Sequence, residues 1–265
     1  MKRSILAAAL LAAGAVGLFA QPTTARPAQA APAAKAPAPK SKAELTALQA
    51  WQAAIQAGDQ DAIIKADDDL LVKFPDTEFK DAILVTEADA YQQKGDWIKA
   101  QIYAGQALAA NPKSYQATLM LADIPAKHTG EHDLDKEESL TKAENYAHQA
   151  IEVVNATPKP PQFSDQQWAD YQKQIAGQAQ DDLGLVSVAR KNWDAAAASF
   201  KAAVALVPEP AFRVHLANAL ANGGKPDEAI AVCDQVLAEP NLNPRIQSAA
   251  RGIRASATAA KAMAK

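Results

Sequence analysis

The chain has 265 residues, of which 49% are apolar but only 6% aromatic, and its formal net charge is −3. That length holds one large domain or two small ones, and alanine, the best helix former, supplies most of the apolar fraction. The slight acidity argues against nucleic acid as a partner, because phosphate contact needs a basic face.

Residues 1–20 read as a signal peptide. Lys2 and Arg3 precede Ile5–Ala20, an uncharged run of sixteen residues that is short for a membrane span of about 20. Cleavage is expected after Ala20, with Ala28-Gln29-Ala30 as a second option and an uncleaved anchor as the competing reading. No cysteine lies near the cleavage site, so a lipid anchor is not expected. The exported protein, periplasmic or secreted, then has no remaining integral span, and its net charge falls to −5 with the loss of Lys2 and Arg3.

Residues 21–40 form a Pro/Ala-rich linker with Arg26, Lys35 and Lys40. Prolines at this density favour extended, polyproline-like chain. The reading is a disordered spacer; the alternative is a tail that binds a partner's acidic surface. The single cysteine, Cys233, permits no internal disulfide and reads as a buried packing residue.

Helical patterning begins at Ser41. Residues 44–77 contain a Gly58-Asp59 break and end in Phe74-Pro75-Asp76-Thr77, but Trp51 stands where a small residue is usual. Residues 81–114 form the most regular unit, 34 residues long. Its small and apolar residues fall at Leu84, Ala88 and Tyr91, then Trp97, Ala100, Ala104 and Ala107 after a Gly95-Asp96 break. Residues 115–158 repeat the pattern with an insertion at 123–139, and Pro125 is expected to end the first helix early. Residues 177–210, with Leu183-Gly184, Trp193, Ala196, Phe200 and Ala203, restore it. Residues 210–243 carry Leu216, Ala217, Ala229, Cys233 and Val236. Residues 244–265 read as a capping helix with an apolar stripe at Ile246, Ala249, Ala250 and Ile253. Trp97 and Trp193, at the same repeat position, read as packing residues.

Capping signals accompany these units. Ser41-x-x-Glu44, Asp135-x-x-Glu138 and Ser164-x-x-Gln167 fit capping boxes. Asn111-Pro112 and Asn243-Pro244 fit an N-cap followed by Pro at the first helical position, and Gly223-Gly224 fits a helix stop.

The 34-residue period and these positions resemble the tetratricopeptide repeat, over residues 41–265. The turn Phe74–Thr77 also looks like exported bacterial cell-envelope members of that family. The resemblance implies an all-α fold, a right-handed superhelical solenoid of antiparallel helix pairs with about 10–11 helices and a C-terminal capping helix. It implies a non-enzymatic scaffold that binds a protein or peptide on its concave surface, made by the first helix of each repeat. Carried over by position, the groove residues are Gln52, Gln56, Asp89, Gln92, Gln93, Asp123, Gln178, Asp181, Asn218 and Asn222. Amides there can both donate to and accept from the backbone of an extended peptide. A bland alternative is that these are solvated helix faces. The Lys/Arg/Asn clamp for a C-terminal carboxylate is absent, apart from Lys127.

No cofactor and no metal is expected. His128-Thr129-Gly130-Glu131-His132 spells H-x-x-E-H, an inverted zinc-protease pattern, but Pro125 and Gly130 argue against the helix it needs. Asp133, Asp135 and Glu137 lack the glycine and spacing of a calcium loop. No Gly-x-Ser-x-Gly elbow and no phosphate-cradling loop occurs. His148 and His215 are isolated by position. Two other roles stay open at this level: a structural envelope factor that self-associates or is membrane-tethered, and a metal-binding protein or metalloenzyme using the 128–138 insertion. The partner and the oligomeric state are not legible in the sequence.

Overall fold

The structure, a computed structural model, describes residues 37–263. The expected signal peptide and residues 21–36 of the linker lie outside the described residues. Those residues contain eleven helices and no strand. In chain order they are α1 Lys42–Ala57, α2 Gln60–Lys73, α3 Lys80–Lys94, α4 Trp97–Ala110, α5 Tyr115–His128, α6 Lys136–Ala156, α7 Asp165–Ala189, α8 Trp193–Leu206, α9 Pro210–Asn222, α10 Pro226–Leu237 and α11 Pro244–Met263. The chain divides into two compact units, Met1–Asn111 and Pro112–Lys265.

Helix ends follow local chemistry. Ser164 Oγ accepts from Gln167 N at 3.2 Å while Gln167 Oε1 accepts from Ser164 N at 2.9 Å, a complete capping box. At α1, Ser41 Oγ accepts from Glu44 N, but the Glu44 carboxylate reaches one residue further back, to Lys40 N at 2.5 Å. α11 starts at Pro244, with Asn243 Oδ1 accepting from Arg245 N at 2.9 Å. The helices α3, α7 and α9 end alike. A left-handed residue, Gly95, Lys191 or Gly224, lets the next amide bond the carbonyl five residues back: Asp96 N to Tyr91 O, Asn192 N to Ser187 O, and Lys225 N to Leu220 O.

Three further expectations need correction. α5 does not stop at Pro125 but runs on to His128. Proline removes only its own donor, Thr129 N closes the end on Pro125 O at 3.0 Å, and burial of Ile124, Pro125 and Ala126 holds the extra turn. Asn111 is the C-cap of α4 rather than an N-cap. Its Nδ2 donates to Asp81 Oδ2 at 2.7 Å, and Ser114 caps α5 instead. Asp135 makes no side-chain cap bond: its carboxylate accepts from Ser139 Oγ, while Glu138 pairs with Lys142 at 2.6 Å.

In the first unit α1, α2 and α3 pack in sequence around Leu48, Trp51, Leu70 and Ile83, and α4 packs on α3. Trp51, bulky for its repeat position, is almost fully buried there. In the second unit α5 packs on α6 and α7, α7 on α8 and α9, and α9 on α10 and α11. Its core is a series of small clusters. One is aromatic, with Tyr115, Trp168 and Tyr171. Alanines Ala122, Ala147, Ala150 and Ala179 pack with Leu183 in the next. Phe200, Leu216 and Leu220 fill a third, and Val214, Val236 and Ala250 seat α11. Each large side chain buried this way contributes roughly 1.5–3 kcal/mol. Close approach is essential at Gly184, where an added Cβ would overlap the Phe200 ring. Cys233 is fully buried in α10, and Trp97 and Trp193 are half-buried at the starts of α4 and α8.

The insertion is absorbed mainly by helix. Only residues 129–135 lie between α5 and α6. Ala126, Leu140, Ala143 and Val186 form a cluster that seats this region on α7. Arg190, just past α7, donates to Glu137 at 3.0 Å, Glu144 at 2.6 Å and Thr141 at 2.9 Å.

Candidate functional site: the first-helix face

The first helix of each pair in the second unit, α5, α7 and α9, lies beside the next one. Polar side chains cross both seams. On α5, Asp123 accepts an ion pair from Lys127, one turn later. Gln178 of α7 bridges the first seam, its Nε2 donating to Asp123 Oδ1 at 3.3 Å and to Asp182 Oδ1 at 3.1 Å. Across the second seam, Asp181 Oδ1 lies 2.8 Å from His215 Nδ1 of α9. Further along α9, Asn222 Nδ2 donates to Asn218 O at 2.8 Å and to Asn218 Oδ1 at 3.1 Å.

The layering of this network matters more than its composition. Asp123, Asp181 and Asp182 are buried, Asp182 completely. Burial, reinforced by the Asp123 charge, pushes the Asp182 carboxyl well above the usual carboxylate range, with Lys127 opposing. Burial pushes the Lys127 ammonium down, but the carboxylates of Asp123, Asp182 and Asp181 outweigh it and leave the group above its usual value. Gln178, His215 and Asn218 are half-buried, Lys127 keeps 39% of its side chain exposed, and Asn222 is exposed. The carboxylates therefore lock adjacent helices together, and amides, an imidazole and an ammonium face solvent above them.

The ten sequence-predicted groove residues fall in both units. Asp123, Gln178 and Asp181 are brought into the α5–α7–α9 network, and Asn218 and Asn222 pair beside it. Asp123 and Asp181 are not open ligand groups: their side chains are 10% and 2% exposed. In the first unit, Gln93 donates to Asp89 Oδ2 at 2.7 Å and accepts from Gln60 Nε2 at 3.0 Å. Burial raises the Asp89 carboxyl, and the Gln93 amide works against that. Gln92 and Gln52 are half-buried, and Gln56 is exposed. The sequence reading missed Asp182 and His215. The available signal was the i,i+4 spacing of Gln178 and Asp182, which places both on one face of α7. The pairing of His215 spans two repeats and carries no local mark.

The H-x-x-E-H string does not take the single-helix form that the zinc-protease pattern needs. His128 ends α5 and His132 lies in the following loop, so the two rings do not share a helical face. Glu131 instead bridges Lys136 and Lys191 at 2.9 Å each, which holds its carboxyl down at about 2. Among the described residues, no group of three His, Cys, Asp or Glu side chains is placed to hold a metal ion. No helix among them is long and apolar enough to cross a membrane.

Paired antiparallel helices with small residues at the seams, closed by a capping helix, define an all-α helical-repeat protein. The chain is a tetratricopeptide-repeat protein: the family model described as tetratricopeptide repeat matches residues 85–150 and 182–244. Solved structures agree on the fold. A thermophilic tetratricopeptide-repeat protein of Thermus thermophilus is 19% identical with a TM-score of 0.57, covering 79% of this chain and 98% of that one. MamA is 17% identical with a TM-score of 0.53, covering 76% and 98%. BtubC (BKLC) of P. vanneervenii is 16% identical with a TM-score of 0.52, covering 76% and 78%. No curated protein sequence matches the chain.

Proposed function

We propose that this protein is an exported, non-enzymatic scaffold that holds a protein or an extended peptide against the first-helix face. The tetratricopeptide-repeat fold is a framework for protein–protein interaction, and that coarse role follows from the family. The observation that carries the finer reading is the layering at α5–α7–α9. Buried Asp123, Asp181 and Asp182 fix the helices, and solvent-facing Gln178, Asn218 and Asn222 present amides that can donate to and accept from a peptide backbone. In the first unit Gln52, Gln56, Asp89, Gln92 and Gln93 offer a second amide-rich surface.

Export rests on the charged and apolar pattern of residues 1–20. Fractionation with N-terminal sequencing tests it: a soluble envelope form starting near Gln21 supports export, and an intact Met1 in the cytoplasm overturns it. Pull-down from an envelope extract tests the binding face. Asp89→Lys combined with Asn218→Ala should release the recovered partner, and unchanged recovery would sink the assignment.

A second reading, a self-associating envelope factor, draws on α4. Ile98 and Ile102, one turn apart, are 76% and 52% exposed. Sedimentation of the wild type against Ile98→Lys distinguishes the two readings, since only self-association through α4 makes the mass depend on that residue.

A further inference from the structure

The first described residues do not lead away from the protein. Ala38 N donates to Glu78 Oε2 at 3.0 Å, Lys40 N to Glu44 Oε2 at 2.5 Å, and Lys40 Nζ to Asp76 O. These bonds strap residues 38–40 onto the first unit near the turn between α2 and α3. Beside the strap opens a cleft of about 890 Å³, and Lys40 itself lines it. Leu84, Ala109 and Ala110 give the cleft apolar surface, and its charged lining sets the carboxylates of Asp76, Glu78 and Asp81 against the ammonium groups of Lys40 and Lys80, a small acidic excess.

The chain immediately upstream has complementary chemistry. Residues 21–36 contain no Asp or Glu, carry Arg26 and Lys35, and are otherwise mostly alanine and proline with a few polar residues. An extended Pro/Ala segment has small side chains and leaves its backbone N–H groups without internal partners. The contact of Ala38 N with Glu78 shows how such a backbone meets these carboxylates. Lys35 precedes Ala38 by three residues, about 9 Å in polyproline geometry, a span short enough for a lysine there to reach the same wall.

We propose that residues 21–36 dock in this cleft of the first unit, extending the strap, with Lys35 against the carboxylates of Asp76, Glu78 and Asp81. The tether supplies an effective concentration on the order of millimolar, so weak intrinsic affinity is enough for occupancy. The proposal concerns a different surface from the first-helix face and stands independently of what that face binds.

The test uses isotope-labelled protein starting at Gln21 and reads backbone amide shifts at Thr77, Glu78, Asp81, Leu84 and Ala109. Lys35→Glu with Arg26→Glu, which leaves the folded units untouched, should move these signals and few others. Raising the salt to about 0.5 M, where the Debye length is only a few ångströms, should move the wild-type signals in the same direction. A free peptide of residues 21–36 should shift the same amides in the charge-reversed protein at least tenfold more readily than in the wild type, whose cleft is already filled. Identical spectra for the wild type and the variant would overturn the proposal. So would equal peptide affinity for both. Shifts that appear only with concentration-dependent dimerisation would assign the cleft to the tail of a second copy and equally overturn docking within one chain.

Discussion

Asp181 Oδ1 and His215 Nδ1 meet at 2.8 Å across the α7–α9 seam, with the carboxylate 2% exposed and the imidazole 36% exposed. The ring also packs on Phe200, with centroids 5.4 Å apart. His215→Ala strands a buried carboxylate, and breaking such a pair from one side costs more than the pair itself contributes. The expected loss is about 2 kcal/mol, read from the urea midpoint, with Asp181→Asn/His215→Ala losing less than His215→Ala alone. A change in His215→Ala below about 0.5 kcal/mol would mean that water satisfies Asp181.

Gly184 sits where α7 and α8 touch, and an added Cβ would overlap the Phe200 ring. Phe200 is fully buried, so the ring has little room to yield. Gly184→Ala should therefore destabilise the protein by about 1–3 kcal/mol despite alanine's better helix propensity. Adding Phe200→Leu should recover part of that loss. A neutral or stabilising Gly184→Ala in thermal unfolding contradicts the packing described.

The first unit should lose stability as pH rises. Asp67 and Glu87 are fully buried. Burial, then the Glu87 charge, pushes Asp67 up to about 9, with the Trp51 N–H partly opposing and Asp68 adding to the rise. Burial pushes Glu87 up to about 7, opposed by the Tyr103 hydroxyl and Lys99 and aided by Asp68. Both folded values exceed the unfolded ones, so the folded state binds these protons more tightly. Their stabilising contribution is complete below the ordinary carboxylate range and is lost as pH climbs through 7 and then 9. Urea unfolding should show a deficit on the order of a few kcal/mol at about pH 8.5 relative to about pH 5. Asp67→Asn with Glu87→Gln should flatten the profile. A wild-type midpoint that rises with pH contradicts this account.

Lys191 has φ of 59° at the end of α7, where Gly95 and Gly224 occupy the corresponding turns of α3 and α9. A side chain in that left-handed region is strained, and glycine is not. Lys191→Gly also removes the exposed pair with Glu131, a small loss in high dielectric. The net expectation is a Tm higher by roughly 2–3 °C. A lower Tm would show that the Lys191–Glu131 contact holds the 129–135 loop more firmly than its exposure implies.

What the sequence revealed, and what it concealed, follows from the range of each interaction. The helix pairs are legible because Ala88, Ala100, Ala104, Ala196 and Ala203 must be small wherever helices touch, and that need recurs with the repeat. Ser164-x-x-Gln167 is legible because both partners lie in one turn. Pro125 misleads because burial of Ile124 and Ala126 against the neighbouring helices outweighs local propensity. Asn111 misleads because the side chain bonds Asp81, thirty residues away, rather than the next helix. The α5–α7–α9 network is half-legible. Position in the repeat marks Asp123, Gln178 and Asp181, but only the register between repeats decides that the carboxylates turn inward and that His215 meets one of them.

Site-specific photocrosslinking tests the binding face most directly. A photoreactive residue at Gln178 or Asn222, on the first-helix face, is compared in envelope extracts with one at His148 or Ala198, exposed on α6 and α8. The account predicts a discrete adduct from Gln178 and Asn222, none from His148 and Ala198, and loss of the Asn222 adduct in Gln178→Ala/Asn218→Ala protein. Adducts of equal yield from all four positions, or from His148 and Ala198 alone, would contradict the assignment of the first-helix face as the surface that binds.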